Sequence, residues 1–77
     1  MVVKVLFFGV LTDITGTSCK HYHEVKSINE LKLRISDDFP EVVHYNFNIS
    51  LNSEIIRNNP DLKDGDEVAL MPPFSGG

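Results

Sequence analysis

Residues with the means to do chemistry fall at two places in this 77-residue chain. Cys19, His21 and His23 alternate through CKHYHEV. In an extended strand, alternate side chains share a face and stand about 7 Å apart. Zinc or copper accepts such donors. Ligands at this spacing are spread along a strand, however, and no second cluster closes the shell. The triplet is therefore read as a strand surface, with no metal site, and no motif marking a reactive thiol surrounds Cys19. The second place is the C-terminal run Pro72-Pro73-Phe74-Ser75-Gly76-Gly77. Pro72 and Pro73 hold the backbone extended, and such a segment reaches about 20 Å. Phe74 offers an apolar anchor, and Gly76 and Gly77 present no side chain to obstruct a narrow channel. The functional group at the tip is the α-carboxylate of Gly77. With a reference pKa of about 3.3–3.7 it is ionised at neutral pH, and an anion is a poor electrophile. To react it must be activated, for example as an acyl-adenylate, inside a partner that keeps water out.

The rest of the chain lacks the parts to do this alone. There is no G-x-G-x-x-G, no G-x-x-x-x-G-K-[ST] and no G-x-S-x-G. Gly9 and Gly16 flank VLTDIT without the lysine of a phosphate-binding loop. Seven Lys and Arg against eleven Asp and Glu, a net charge of −4, give no basic footprint for nucleic acid or an anionic membrane surface. A single cysteine excludes an internal disulfide and fits a reducing, cytoplasmic setting. Met1–Leu11 is apolar but has neither a basic n-region nor a cleavage site, and is too short to span a bilayer. Asp37-Asp38 is read as a solvated helix end, Asp64 and Asp66 as turn formers, and His44 as a loop residue.

These residues must be held by a small set of elements. VVKVLFF, residues 2–8, predicts a central strand covered on both faces. Residues 10–18 form a connection with room for one helical turn before Gly16, and residues 19–25 a second strand, antiparallel to the first, with Val25 in phase on a partly packed surface. Ser27 to Glu30 is a capping box. Ile28, Leu31, Ile35 and Phe39 then fall within an arc of roughly 80°, a helix stripe that needs a sheet to pack on. Leu33 lies on the opposite side, and Pro40 stops the helix. FNISL, residues 47–51, alternates with Phe47, Ile49 and Leu51 on one face. Asn52-Ser53 is a turn, residues 54–57 a short edge strand, and residues 67–71 the last strand, with Val68 and Leu70 in phase. One helix across one mixed sheet of about five strands predicts an α+β domain in the β-grasp, or ubiquitin-like, layout, with residues 1–71 as the domain and 72–77 as an extended tail.

LKDGDEVALMPPFSGG, residues 62–77, resembles the C-terminus of the MoaD family, the small, sulfur-carrying subunit of molybdopterin synthase. VKVLFFGVLTDITG and NISLN also resemble that family, so the resemblance covers the whole chain. Phe74 stands where many relatives carry a smaller aliphatic residue. The resemblance implies that Gly77 is adenylated with ATP by a MoeB-like activating enzyme and converted to a C-terminal thiocarboxylate. It implies that the tail, Pro72, Pro73, Phe74, Ser75 and Gly76, then enters a MoaE-like large subunit within a heterotetramer. There it gives sulfur to cyclic pyranopterin monophosphate to form the dithiolene of molybdopterin. Catalytic acids and bases are expected on the large subunit, and no cofactor is expected on this chain. Two rival readings share the activation chemistry: a ThiS-type sulfur carrier and a ubiquitin-like protein modifier. A plain interaction module is a third.

Overall fold

The computed structural model describes residues 1–73. In chain order its elements are β1 (Val2–Phe7), α1 (Val10–Thr15), β2 (Cys19–His23), α2 (Ile28–Asp38), a 3-10 turn (Pro40–His44), β3 (Asn48–Leu51), β4 (Glu54–Ile56) and β5 (Glu67–Met71). The strands form one sheet in the order β2-β1-β5-β3-β4. β1 runs parallel to β5, and every other neighbouring pair is antiparallel.

One face of this sheet makes the core. Val3, Val5 and Phe7 of β1, Tyr22 of β2, and Val68 and Leu70 of β5 are buried, and they meet Ile28, Leu31 and Ile35 of α2 together with Val42. Removing these side chains from water is the main favourable term, at about 1.5–3 kcal/mol for each large aliphatic or aromatic residue. The helix stripe is the one the spacing predicts, and Leu33 on its far side is exposed. Ser27 Oγ accepts from the Glu30 amide at 3.2 Å, which is half of the expected capping box; among the described residues Glu30 does not reach back to the Ser27 amide. Asn59 Oδ1 takes the neighbouring Asn29 amide at 2.8 Å, which fixes the loop before β5 onto the start of α2.

The structure corrects several expectations. β1 is central but covered on one face only. Lys4, Leu6 and Phe8 share the opposite phase; Lys4 is exposed and Phe8 is 46% exposed, because the one long helix can cover only one side of the sheet. Val25 is fully buried rather than on a partly packed surface. Glu24 takes a positive φ of 54°, which breaks the strand alternation and turns Val25 inward. Pro40 ends α2 but also opens the 3-10 turn, which carries Val42 into the core and includes His44. Asp38 is not merely solvated. It accepts the Tyr22 hydroxyl at 2.8 Å and lies 3.8 Å from Lys20 Nζ, tying the end of α2 to β2. Lys20 and Arg34 also sit over the Tyr22 ring, at 5.5 and 5.6 Å.

Asp64 and Asp66 do more than bend a turn. Asp64 Oδ1 accepts the Val2 amide at 2.7 Å, and Gly65, at a φ of +85°, donates its amide to the Val2 carbonyl at 2.9 Å. Asp66 accepts from the Lys63 amide at 2.8 Å and from Asn52 Nδ2 at 3.0 Å, while Asn52 Oδ1 accepts the Glu67 amide at 2.9 Å. Asn52 and Ser53 both have positive φ, at 50° and 75°, the twist that a tight hairpin between β3 and β4 requires. One short loop therefore sets the start of β1, the β3–β4 hairpin and the start of β5.

Two outcomes follow from these bonds. Asp66→Ala removes two charge-assisted acceptors and should cost about 1–3 kcal/mol in urea unfolding, with Asp66→Asn losing less. Burial first, and then the hydrogen bond to Asp38 and its charge, raise the Tyr22 phenol well above the usual tyrosine value, with Arg34 opposing. A raised folded-state value stabilises the fold fully below the unfolded value of about 10 and loses that contribution as pH climbs beyond it. Stability should therefore fall above that pH in the wild-type chain and fall less steeply in Tyr22→Phe, as read by chemical denaturation across alkaline pH.

Candidate functional site

The face of the sheet opposite α2 is uncovered, and strand register decides what it presents. A row runs across all five strands: Cys19 pairs with Leu6, Leu6 with Ala69, Ala69 with Ser50, and Ser50 with Ile55. The middle of this row is small, while Leu6, Phe8, Ile55 and Met71 are large. The result is an apolar saddle of about 320 Å³, with Ser53 and Glu67 at its margin. Phe8 and Ile55 are the exposed large side chains within it. The next row toward the other end of the strands is polar, with Lys4 between His21 and Glu67.

β5 leaves the sheet at this saddle. The Phe8 amide donates to the Leu70 carbonyl at 3.1 Å, and Met71 is the last strand residue. Pro72 then lies against Gly9, the residue that caps α1 with a φ of 59°. Pro72 and Pro73 are therefore placed by the structure at the exit of the central strand, beside the apolar saddle. Phe74, Ser75, Gly76 and Gly77 lie outside the described residues.

The triplet Cys19, His21 and His23 does share one face, the open one, as the alternation predicts. Among the described residues no group of His, Cys, Asp and Glu is arranged to hold a metal ion. No described helix is long and apolar enough to cross a membrane. What the described residues offer is an open apolar surface next to a strand exit. Phe8 is the one member of this face that its apolar neighbours conceal, and the phase of Lys4 carries the signal for it: residues two and four positions on from an outward lysine also face outward.

Comparison with known proteins agrees with this architecture. The chain is 28% identical to small archaeal modifier protein 1 from Methanosarcina acetivorans, with a TM-score of 0.85 over 99% of this chain and 96% of that one. It is 31% identical to a chain of the complex of subunits 1 and 2 of molybdopterin-converting factor from Helicobacter pylori, with a TM-score of 0.74 and full coverage of both chains. The fold is the ubiquitin-like β-grasp. The chain matches the ThiS family over residues 5–77 and belongs to it. It is also 32% identical, across 100% of both sequences, to the molybdopterin synthase sulfur carrier subunit of Chlamydomonas reinhardtii.

Proposed function

We propose that this chain is the sulfur carrier of molybdenum cofactor biosynthesis, acting as the small subunit of a molybdopterin synthase. The observation that carries the reading is the end-to-end match to a sulfur carrier subunit. It is supported by a fold whose central strand leads into Pro72 and Pro73 beside an open apolar face. The domain is a handle. Its apolar saddle gives a partner a surface to recognise, and its last strand directs the tail toward that partner's active site.

The chemistry proceeds at Gly77. The carboxylate attacks ATP on a MoeB-like activating enzyme and releases pyrophosphate; a sulfide-level sulfur donor then displaces AMP from the acyl-adenylate and leaves the thiocarboxylate. A MoaE-like large subunit, in a heterotetramer, receives the tail, and the sulfur passes to cyclic pyranopterin monophosphate. The acyl-adenylate is open to hydrolysis, so the partner must exclude water around it. Gly76 and Gly77 fit a narrow passage for want of side chains, Phe74 and Ser75 line the inserted tail, and Pro72 and Pro73 keep its base extended. The cytoplasm provides the reducing setting that a thiocarboxylate needs.

A second reading is favoured by the similarity to small archaeal modifier protein 1: Gly77 ends in an isopeptide bond to a lysine. The intact mass of the chain isolated from cells separates the two. Sulfur in place of one C-terminal oxygen supports the carrier, and lysine adducts bearing Gly-Gly remnants support the modifier.

Deleting Gly77, or adding one residue after it, should abolish sulfur transfer with thermal stability unchanged, because the tail follows the last strand. Normal molybdopterin formation by either variant overturns the reading. Phe8→Asp places a charge on the saddle without touching the core. It should fold with wild-type stability to within about 1 kcal/mol and lose at least about ten-fold in affinity for the large subunit by titration calorimetry.

A further inference from the structure

We propose that the outer edge of β2 is closed by two of the chain's own side chains, Thr17 and Arg34, which keep the sheet from lengthening by pairing with a second copy. The inference does not depend on the carrier reading. β2 and β4 are the edges of the sheet, and β2, with five residues against three, is the longer. An edge strand offers unpaired N–H and C=O groups to any other strand. Register shows which groups of β2 face outward. The Phe7 amide donates to the Ser18 carbonyl at 3.0 Å, and the Glu24 amide donates to the Met1 carbonyl at 3.1 Å. Bonded and non-bonded pairs alternate between antiparallel strands. Between those two bonds, Lys20 with Val5 and Tyr22 with Val3 are therefore the bonded pairs, and they turn their backbone groups to β1. Cys19, His21 and His23 turn theirs to the outside.

Three of these six outward groups are already taken. Thr17 Oγ1 accepts the Cys19 amide at 3.2 Å and donates to the Cys19 carbonyl at 2.8 Å, so one hydroxyl closes both groups of that residue. Arg34 reaches across from α2 and donates Nη1 to the His23 carbonyl at 3.2 Å. Both side chains are themselves held. Thr15 Oγ1 accepts the Thr17 amide at 3.4 Å and donates to the Thr17 carbonyl at 2.9 Å. The Arg34 guanidinium lies 5.6 Å from the centre of the Tyr22 ring, and that ring is fixed by its bond to Asp38. Among the described residues, only His21 keeps both its outward groups open.

The geometry of a second copy shows why these three groups matter. Identical edges pair about a two-fold axis. In the antiparallel register centred on His21, Cys19 of one copy stands opposite His23 of the other, and His21 stands opposite His21. Two N–H···O bonds join each bonded pair. All four bonds of the two Cys19–His23 pairs use a group that Thr17 or Arg34 holds, and the His21 pair alone is open. Consecutive bonded pairs use consecutive outward residues, so a shifted register that bonds more than one residue of β2 also meets Cys19 or His23. A second copy must break these bonds before it gains its own.

The test compares the full-length wild type, Thr17→Val, the double variant Thr17→Val with Arg34→Met, and that double variant with His21→Pro added. Valine lacks the hydroxyl, and methionine keeps an apolar stem over Tyr22 without the donors. Association constants are read by analytical ultracentrifugation under reducing conditions, so that Cys19 forms no cross-link. Amide exchange is read by NMR at low and high protein concentration, and folding by circular dichroism. In the wild type the His21 amide should exchange freely at both concentrations. The double variant should associate about ten-fold or more tightly than wild type, and its Cys19, His21 and His23 amides should gain protection as concentration rises. Thr17→Val alone opens two of the four blocked bonds and should gain about three-fold. His21→Pro removes the central donor at a residue whose N–H does not serve β1, and should return the double variant to the wild-type constant. An unchanged constant in the folded double variant overturns the inference. So does association that leaves those amides unprotected, which would put the contact on the open face, and so does association that His21→Pro does not reverse. A wild-type His21 amide that gains protection with concentration overturns it as well. If the double variant does not fold, Thr17→Val decides by the same two readings.

Discussion

The parallel pairing of β1 with β5 is the constraint on which the rest of the molecule depends. It joins Lys4–Phe7 to Glu67–Leu70, so almost the whole chain must be folded between its two halves. Parallel neighbours need a long crossover, and here that crossover contains every other element. Closing so large a loop costs entropy before the pairing returns anything. The offsetting free energy comes from the core face, where α2 covers both strands at once. It comes also from the Asp64–Asp66 loop, whose bonds to Val2, Lys63 and Asn52 set the register at which the pair begins.

The same pairing creates the site. Because β1 and β5 are parallel, both run toward the same end of the sheet, and the tail emerges next to the segment that links β1 to α1. Phe8, Met71 and Leu6 are brought together there with Ile55 from the edge strand. A protein of this size has one long helix, and that helix can shelter only one face. The uncovered face is the other consequence of the same economy. Apolar side chains at the tail's root and a polar row around Lys4, His21 and Glu67 give that face a direction.

Electrostatics serve the core rather than the chemistry. Lys20, Tyr22, Arg34 and Asp38 form a single cluster between β2 and α2, built from a hydrogen bond, a partly exposed ion pair and cation–π contacts. Each is modest where solvent reaches it, yet together they fix the C-terminal end of the helix on the sheet, where the macrodipole alone would disfavour Asp38.

The sequence by itself determined the strands and the main helix, their order, and the core-facing stripe of α2 and of β3 and β5. Ser27 and Glu30, the Ile28–Leu31–Ile35 stripe, the alternation of Phe47, Ile49 and Leu51, and the phase of Val68 with Leu70 are local patterns that need no distant partner to be read. The tail's composition was equally legible, because Pro and Gly act through their own backbone. Tertiary structure alone decided which side of β1 lies open, since a run of apolar residues does not say how many layers cover it. It turned Val25 inward through Glu24, drew Asp38 to Tyr22, and made Asp64 and Asp66 hold three separate segments. It also set Gly9 under Pro72, a contact between residues 63 positions apart that depends on the register of two parallel strands and on nothing in the sequence near either residue.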